Sequence, residues 1–273
     1  MSSSSDMRVR PAVEPVRVVA NERLAQGIGL LVLEAPHTAR SVLPGQFVHL
    51  RIARDADFIL RRPFSVHRAY EVRLEIVYQV LGRGTHALAQ AERGRMMDLI
   101  GPLGTGWRVP RGLEHALLVG GGLGAAPLGM LAEQLAEAGI AVSVALGAPI
   151  EHRLVGRELF ERVARRVDVA TDDGSVGEQG LVTVLSERLL AEGTVGTVYA
   201  CGPEVMSRTV AAQAAERGVA CQVSLERLMA CGIGACLSCV CSTVRGSERA
   251  CVEGPVFDAK DVLWDESETP PRH

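Results

Sequence analysis

Five cysteines lie close together in the last third of the chain, and their spacing restricts the fold more than any other feature. Cys231, Cys236 and Cys239 are separated by four and then two residues, and Cys251 follows after eleven more. This is the plant-type spacing for a [2Fe–2S] cluster, in which three thiolates come from one loop and a distant fourth completes the set. The small residues between Cys231 and Cys236 let backbone amides approach the cluster sulfides.

Two alternatives stay open for this segment. Structural zinc sites prefer paired Cys-x2–4-Cys knuckles, whereas here one short pair is followed by a single cysteine. Cys241, two residues beyond Cys239, is an alternative fourth ligand, but a residue so close has difficulty reaching the fourth tetrahedral position. We therefore favour Cys251. Cys201 and Cys221 are expected to be small buried hydrophobic residues.

Composition excludes several classes of protein. The 273 residues suffice for two domains of roughly 150 residues each, and 47 % hydrophobic residues is a globular value. A net charge of −3 argues against nonspecific nucleic-acid binding. No secretory signal or membrane span is found: the longest uncharged stretch, 116–132, is short and rich in glycine. Clustered cysteines without a signal peptide predict a soluble, cytoplasmic protein.

The middle of the chain has the pattern of a nucleotide-binding α/β domain. An apolar run at 116–119 leads into a glycine turn and a helical pattern up to residue 138, and strand patterns follow at 140–146 and 195–200. The glycines of the first turn are Gly120, Gly121, Gly122 and Gly124. The turn after the last strand is Cys201, Gly202 and Pro203. Alternating strands and helices predict a parallel sheet with ligands at the carboxyl ends of its strands, although a glycine turn alone can be a tight connection.

The first hundred residues predict a small antiparallel β-barrel. Short strand-like runs at 16–20, 28–33, 47–52 and 72–80 are separated by proline, glycine and charged turns. The fold is therefore expected to be multi-domain. Its predicted parts are a flexible tail at 1–15, a barrel at 16–110, an α/β domain at 111–222, a cluster domain at 223–266 and a tail at 267–273.

Three further motifs accompany the barrel. Arg61-Arg62-Pro63-Phe64-Ser65 could clamp a diphosphate, or could be a surface arginine pair at a sheet edge. Gly82-Arg83-Gly84-Thr85 precedes a helical stretch and could meet phosphate through its amides, or could be a plain turn with a threonine cap. The glycine loop at 101–106 is interpreted as a link between the two domains.

Taken in order, these motifs resemble the ferredoxin-reductase superfamily, and within it the electron-transfer subunits of class 1B dihydroorotate dehydrogenases. The order is RPFS and GRGT in a barrel, then GPLGTGW, VGGGLGAAPL, TDDGS, YACGPEVM, MACGIGACLSCVC and CVEGPVF. The resemblance extends from about residue 16 to residue 260. SLERLMACGIGAC continuing to CVEGPVF is its most specific part, because it places the cysteines after the nucleotide domain with that family's spacing. Leu228 departs from the family, in which a more polar residue is expected.

The resemblance implies FAD, a [2Fe–2S] cluster and NAD, and it assigns residues to each. The FAD residues are Arg62 at the pyrophosphate, Pro63, Phe64, Ser65 near the isoalloxazine, the backbone of Val77, Tyr78 and Gln79, and the phosphate-binding turn of Gly84 and Thr85. The nicotinamide nucleotide residues are Gly120, Gly121, Gly122, Gly124, Cys201, Gly202 and Pro203. The metal ligands are Cys231, Cys236, Cys239 and Cys251.

The resemblance also implies the reaction and the partner. Electrons leave dihydroorotate at the FMN of a separate catalytic subunit and pass through the cluster and FAD to NAD+, in pyrimidine biosynthesis. A flavin is required between them because a nicotinamide exchanges a hydride and the cluster exchanges single electrons. The family assembly has two copies of each subunit. No acid–base constellation for dihydroorotate is found, so no catalytic residue is predicted in this chain.

The remaining charged residues are interpreted as structural. The scattered histidines are expected in surface or turn positions: His37, His49, His67, His86, His115 and His152. Asp172 and Asp173 are interpreted as turn residues, with a ribose contact as the alternative. Arg153 and Arg157 are interpreted as surface residues, with a ribose phosphate as the alternative, so the choice between NAD and NADP stays open.

Two other functions compete with this reading. One is a related electron-transfer subunit, of the sulfide dehydrogenase or bifurcating NADH-dependent ferredoxin:NADP reductase type, because those proteins share the same modules. The other is a redox-sensing module without turnover, against which the intact RPFS motif argues.

Overall fold

Two seven-stranded sheets and a small hairpin organise residues 10–52 and 59–264, the parts of the chain that a computed structural model describes. The first sheet is antiparallel, and the second is parallel except for one edge strand. The cysteine-rich segment follows them. This arrangement confirms the predicted fold class of a barrel, an α/β domain and a C-terminal cluster segment.

The barrel is built by the first seven strands. They and two short helices are β1 (Ala12–Ala25), β2 (Ile28–Glu34), α1 (Pro36–Ser41), β3 (Phe47–Arg51), β4 (Arg62–Ser65), β5 (Arg68–Tyr70), β6 (Arg73–Gln79), α2 (Arg83–Ala89) and β7 (Met96–Leu103). Their order in the sheet is β4-β3-β7-β1-β2-β6-β5. The sheet curls until β4 meets β6, where the rings of Phe64 and Tyr78 pack edge to face with centroids 6.5 Å apart.

The first strand begins earlier than the sequence indicates. Ala12 pairs with Gly101 and Pro15 with Asp98, so the end of the predicted tail at 1–15 belongs to the barrel. The buried carboxylate of Glu14 accepts hydrogen bonds from the backbone N–H and hydroxyl of Thr38, which anchors this start. Proline lacks a backbone N–H but is tolerated here because β2 pairs with β1 only from Arg17 onward, which leaves one side of Pro15 without a partner strand. Residues 1–9 and 267–273 lie outside the described residues.

The α/β domain continues the chain with alternating strands and helices. The elements are β8 (His115–Gly121), a 3₁₀ turn (Gly122–Leu128), α3 (Gly129–Glu137), β9 (Ala141–Ala148), a 3₁₀ turn (Glu151–Arg153), α4 (Arg157–Val163), β10 (Arg166–Thr171), β11 (Glu178–Gln179), α5 (Val182–Ala191), β12 (Thr197–Cys201), α6 (Glu204–Glu216) and β13 (Ala220–Ser224). Within 10–52 and 59–264, no helix is long and apolar enough to cross a membrane.

The strand order of this sheet reverses beside β8. The chain runs outward from β8 through β9, β10 and β11, and then returns to place β12 and β13 on the other side of β8. In an open parallel sheet, a ligand crevice forms where the order reverses, outside the carboxyl ends of the strands. This position lies between the ends of β8 and β12.

The cysteine-rich segment is joined to the α/β sheet rather than separate from it. It contains β14 (Val240–Thr243), β15 (Gly246–Arg249), β16 (Val256–Asp258) and a 3₁₀ turn (Ala259–Asp261). β14 and β15 form a hairpin, and β16 pairs antiparallel with β13 at the sheet edge. The predicted boundary at residue 222 therefore falls inside β13, because the end of the segment returns to complete the sheet.

The apolar cores cross the module boundaries. Ile28 and Val77 of the barrel pack in the same cluster as Leu118 of β8, and Phe47 and Leu103 share a cluster with Leu117. Leu117 and Leu118 are adjacent and both fully buried, so both faces of β8 are covered. The barrel and the α/β domain therefore form one continuous packed body.

Removal of a side chain from this shared core should be costly. Leu118→Ala is expected to lower the free energy of unfolding by about 3 kcal/mol, because it removes buried methylene groups and leaves a cavity. The exposed Leu181 provides the control, and Leu181→Ala should change stability by less than about 0.5 kcal/mol. Urea unfolding followed by circular dichroism measures both. Equal effects of the two substitutions would contradict the packing described here.

Candidate cofactor sites

The two arginines before β4 have different environments. The guanidinium of Arg61 forms an ion pair with the buried carboxylate of Asp98 and donates to the Asp98 backbone carbonyl at 2.9 Å. Arg62 instead donates from Nη1 to the carbonyl of Leu60 at 2.7 Å. Its side chain passes close to Gly84 at the start of α2, where a Cβ would lie 3.3 Å from Arg62 Nε. Arg61 therefore has a structural role, and Arg62 is the cation beside the first turn of α2.

The turn before α2 is closed by Thr85. Its hydroxyl accepts the backbone N–H groups of Leu81 at 2.9 Å and Gly82 at 3.1 Å, and donates to the carbonyl of Gly82. Thr85 is thus the cap of this turn, as the structural alternative predicts. Any contact with an anion here falls to the turn's remaining backbone N–H groups and to Arg62.

The side chains of Val77 and Tyr78 on strand β6 are buried in the packed interior. Tyr78 is buried in the barrel, and its hydroxyl donates to the side-chain oxygen of Asn21 at 2.8 Å. Gly29 on β2 leaves room for this ring, because a Cβ there would lie 2.5 Å from it. Val77 is buried against the α/β domain. At Val77 and Tyr78, therefore, the backbone is what remains for a flavin to contact, as the resemblance implies.

The two glycine-containing turns of the α/β domain touch each other. A Cβ on Gly124 would lie 2.4 Å from the carbonyl oxygen of Cys201, and a Cβ on Gly121 would lie 2.8 Å from Pro203. Gly202 has a φ of +159°, and its Cα meets Gly121. The turns therefore meet at the reversal of strand order between β8 and β12. Glycine is required there because the backbones approach too closely for a side chain.

The thiol of Cys201 lies at the end of β12. Burial raises its pKa to about 12, so it is a neutral thiol at physiological pH.

Asp173 accepts hydrogen bonds from the backbone N–H and hydroxyl of Ser175, which is the geometry of a turn residue. Arg157 forms an exposed ion pair with Glu161. These contacts agree with the structural interpretations of both residues.

Four cysteines converge around the loop that follows β13. The backbone N–H of Cys236 donates to the sulfur of Cys231 at 3.4 Å. The thiol of Cys251 lies beside Cys239, Cys231 and the backbone of Gly234. Cys239 and Cys251 are buried, Cys231 is half-buried and Cys236 is exposed. The loop reverses through Gly232 and Gly234, which have φ values of +70° and +84°.

The environments of these thiols differ. Hydrogen bonds with Ser238 and Cys231 lower the pKa of Cys236 to about 6, whereas burial and the neighbouring Cys239 raise the pKa of Cys251 to about 12. Across 10–52 and 59–264, no three His, Cys, Asp or Glu side chains are arranged as ligands of one metal ion. A [2Fe–2S] cluster divides its four thiolates between two irons, and four soft sulfur donors suit iron–sulfur chemistry.

Cys241 occupies a different position. It lies on β14 opposite Glu248 of β15, with its side chain buried. The contacts that join the other cysteines come from the loop and from the segment after β15: the backbone N–H of Ala250 donates to the carbonyl of Cys239 at 2.8 Å. These contacts place Cys251 beside the loop.

The glycine loop at 101–106 does more than link two domains. The backbone N–H of Thr105 donates to the carbonyl of Gly254 at 2.6 Å, and its hydroxyl lies 3.2 Å from the carbonyls of Glu253 and Val256. A Cβ on Gly104 would lie 2.6 Å from the same Gly254 oxygen. This loop therefore fixes the segment that follows Cys251 against the barrel.

Comparison with known proteins identifies the family. Residues 226–263 match the model of the iron–sulfur cluster binding domain of dihydroorotate dehydrogenase B. The electron-transfer subunit of dihydroorotate dehydrogenase B (NAD+) from Desulforamulus reducens is 37 % identical over 91 % of this chain and 97 % of that protein. The subunit from Bacillus caldolyticus is 42 % identical over 90 % and 96 %. This chain belongs to the family of dihydroorotate dehydrogenase B electron-transfer subunits.

Solved structures agree with the fold of this family. An NADH-dependent reduced ferredoxin–NADP oxidoreductase, studied for flavin-based electron bifurcation, superposes with a TM-score of 0.83 at 31 % identity, over 93 % of this chain and 91 % of that one. The ferredoxin reductase of carbazole 1,9a-dioxygenase has a TM-score of 0.65 at 19 % identity, over 77 % and 67 %. The second likeness concerns the fold alone.

Two histidines of this family member are not where the sequence placed them. His49 and His67 were expected in surface or turn positions, but both are buried, and burial lowers the pKa of each below its ordinary value. Each contacts a backbone carbonyl of another module through Nδ1: His49 that of Cys231 at 3.2 Å, and His67 that of Ala126 at 2.8 Å. The only sequence signal of their burial is that each has apolar neighbours along the chain.

The buried ion pair of the electron-transfer subunit gives a test of its barrel. Among the described residues, the carboxylate of Asp98 forms ion pairs with Arg61, whose side chain is 11 % exposed, and with Arg51, which is 3.9 Å away and 41 % exposed. Arg61→Ala removes the closer and more buried of these two cations from a buried carboxylate and should lower the free energy of unfolding by about 3 kcal/mol. Arg51→Ala should cost less than about 1 kcal/mol. Urea unfolding of both variants measures the difference, and a costlier loss of Arg51 would refute it.

Proposed function

We propose that this chain carries electrons from the FMN of a dihydroorotate dehydrogenase catalytic subunit, through a [2Fe–2S] cluster and FAD, to NAD+ in pyrimidine biosynthesis. The observation that carries the proposal is that the barrel directly contacts both the four-cysteine loop and the turn that follows β8 in the α/β domain. Three sites of the kinds needed for this transfer thus share one packed body. Family membership supports the same assignment.

We assign FAD to the barrel. Arg62 would meet the pyrophosphate together with the amides around Gly84, in a cradle that a side chain at residue 84 would crowd. The other residues assigned to FAD are Pro63, Phe64, Ser65, Val77, Tyr78, Gln79 and Thr85. Because the side chains of Tyr78 and Val77 are buried, these two residues would contact FAD through their backbone. Because the hydroxyl of Thr85 caps the turn, its part is to hold the turn open to the phosphate.

We assign the nicotinamide nucleotide to the crevice between β8 and β12. The residues assigned are Gly120, Gly121, Gly122, Gly124, Cys201, Gly202 and Pro203. Amides at the start of the turn after β8 are free of side-chain cover because the residues are glycine. The thiol of Cys201 is neutral, so it can lie against the nicotinamide ring without adding a buried charge to the site.

We assign the [2Fe–2S] cluster to Cys231, Cys236, Cys239 and Cys251. When bound, FAD exchanges two electrons as a hydride with the nicotinamide and single electrons with the cluster. The residues of this chain hold, orient and shield these groups, and none is required as an acid or base toward dihydroorotate. All seven cysteines lie in the described part of the chain and are free thiols, which supports a cytoplasmic location.

The cluster loop has a surface suited to a protein partner. Leu228, Ile233, Leu237 and Val240 lie within eight residues of the exposed Cys236 along the chain, and each has 41 % or more of its surface exposed. Leu228, which stands where the family has a more polar residue, enlarges this apolar rim. Clustered apolar side chains on a surface mark sites of protein association. We propose that they meet the FMN-containing catalytic subunit, in an assembly with two copies of each chain.

A second candidate is supported by the 31 % identity to the NADH-dependent reduced ferredoxin–NADP oxidoreductase. In that case the same modules would serve another electron donor or acceptor. Arg153 and Arg157 lie near the carboxyl end of β9 and would be the residues to examine for a ribose phosphate. The ion pair of Arg157 with Glu161 argues against it.

The proposal predicts activity only in the complete complex. Anaerobic mixing of this chain with the FMN-containing catalytic subunit from the same organism should give dihydroorotate-dependent reduction of NAD+, which neither protein gives alone. Cys236→Ser should abolish this activity while FAD stays bound, because the substitution removes one thiolate ligand and none of the residues assigned to FAD. Absorbance at 340 nm measures NADH, and the flavin spectrum measures bound FAD.

The controls separate the two candidates. If NADH reduces the bound flavin but mixing with the catalytic subunit gives no activity, the redox modules are assigned correctly and the partner is not. Activity in the Cys236→Ser complex equal to that of the unmodified complex would refute electron transfer through the cluster.

The fourth ligand can be tested separately. Cys251→Ser should lower the iron content and change the electron paramagnetic resonance spectrum of the reduced protein, because Cys251 lies beside the ligand loop. Cys241→Ser is the matched control, since both thiols are buried and ten residues apart. It should leave iron content and spectrum unchanged. The opposite pattern would make Cys241 the ligand.

A further inference from the structure

Two buried histidines lie next to β4, the strand assigned to the flavin. His49 lies on β3 directly opposite Pro63 of β4, and His67 is two residues beyond Ser65, where β4 ends. Their side chains are almost completely buried, with exposures of 0 % for His49 and 7 % for His67. Neither histidine belongs to the sites assigned above. Each, however, reaches from the barrel to a different neighbouring module.

His49 contacts the cluster loop. Its Nδ1 is 3.2 Å from the carbonyl oxygen of Cys231. A carbonyl oxygen can only accept, so Nδ1 carries the hydrogen and donates it. The ring also packs on the next residue, Gly232, where a Cβ would lie 2.6 Å from Nδ1. The ligand loop therefore rests directly on a side chain from the flavin-binding barrel.

His67 makes the corresponding contact with the nucleotide turn. Its Nδ1 donates to the carbonyl of Ala126 at 2.8 Å, within the 3₁₀ turn (Gly122–Leu128) that follows β8. The backbone N–H of Met130 donates in return to the carbonyl of His67 at 3.1 Å. A Cβ on Gly129 would lie 2.8 Å from the imidazole. The start of α3 is thus held at contact distance from the residue that follows the flavin strand.

A histidine at residue 49 buries a polar ring nitrogen, which a hydrophobic residue would not do. Its Nε2 is buried and has no hydrogen-bond partner among the residues that the structure describes. An unsatisfied buried polar atom is unfavourable and calls for an explanation. The hydrogen bond from Nδ1 to the ligand loop supplies one, because no aliphatic side chain could make it.

We propose that His49 and His67 are positioning residues, which set the cluster loop and the nucleotide turn, respectively, against the flavin strand between them. The inference rests on the proposed function, since it concerns the relative placement of the three proposed cofactor sites. The rate of hydride transfer depends steeply on the placement of the reacting atoms, where a displacement of about 1 Å can cost roughly 100-fold, and the properties of the cluster depend on the loop that surrounds it. Each histidine should therefore control one transfer step and not the other.

Paired substitutions in the full-length holoprotein test this. The amide nitrogen of asparagine lies near the place of Nδ1 and that of glutamine near the place of Nε2, so His49→Asn and His67→Asn keep the donor, whereas His49→Gln and His67→Gln displace it. His115→Gln is the control, because both ring nitrogens of His115 bond within the α/β domain, to Thr194 and Ser143. If a glutamine variant does not fold, the leucine variant takes its place in the same comparison.

Two readouts are measured for every variant: the rate at which NADH reduces the bound flavin, and the paramagnetic resonance spectrum and reduction potential of the cluster after chemical reduction. His49→Gln should alter the cluster spectrum or potential and leave the flavin rate unchanged. His67→Gln should slow flavin reduction about tenfold or more and leave the cluster signals unchanged. The asparagine variants should resemble the unmodified protein. Thr105 still holds the segment after Cys251 in all of them.

The outcomes distinguish this inference from the proposed function. If NADH fails to reduce the flavin of the unmodified protein, the proposed function fails, while the cluster spectrum still tests His49. If the unmodified protein is reduced and the glutamine variants are indistinguishable from it, the positioning role is refuted. It is also refuted if each glutamine variant changes both readouts together, since that pattern indicates a general loss of structure.

Discussion

The packing of the barrel against the two other modules is the interaction on which the rest of the structure depends. Apolar side chains of β2, β3, β6 and β7 enter the same cores as the strands of the α/β sheet, and the segment after Cys251 is held by Thr105 of the loop that leaves β7. Interiors packed in this way are stiff and transmit strain. Sites at the surface of such a body keep fixed separations, which transfer between bound groups requires.

Polar groups in this body are placed where apolar residues would be more stable. The Arg61–Asp98 pair is buried, and a buried ion pair is weak evidence for stability. Arg61 neutralises the carboxylate and leaves the neighbouring Arg62 as the cation beside α2. His49 likewise has a ring nitrogen with no hydrogen-bond partner in the described part of the chain, next to the cysteine loop. Local rules are expected to fail at functional sites, and these exceptions lie around the strand assigned to FAD.

Sequence reasoning found what is encoded locally. The glycine turn after β8 and the cysteine loop are continuous motifs, so the fold class and the four cysteines that converge could be predicted. Contacts between distant residues could not: His49 and Cys231 are 182 residues apart, and Ala126 is 59 residues beyond His67. The return of β16 to β13 was missed for the same reason, because a three-residue strand has no periodic signal and its pairing is set by tertiary packing.

One side of the cysteine loop is covered by the protein, and the other side is exposed. His49 of the barrel contacts the carbonyl of Cys231, and the Thr105 loop holds the segment that follows Cys251, so the barrel lies on that side. Its outer side carries the exposed Cys236 between Ile233 and Leu237, whose apolar side chains face solvent. Exposed apolar surface of this kind is unfavourable unless a partner covers it. Under the proposed function, a protein that exchanges electrons with the loop would approach from the Cys236 side, with the loop between that partner and the flavin strand.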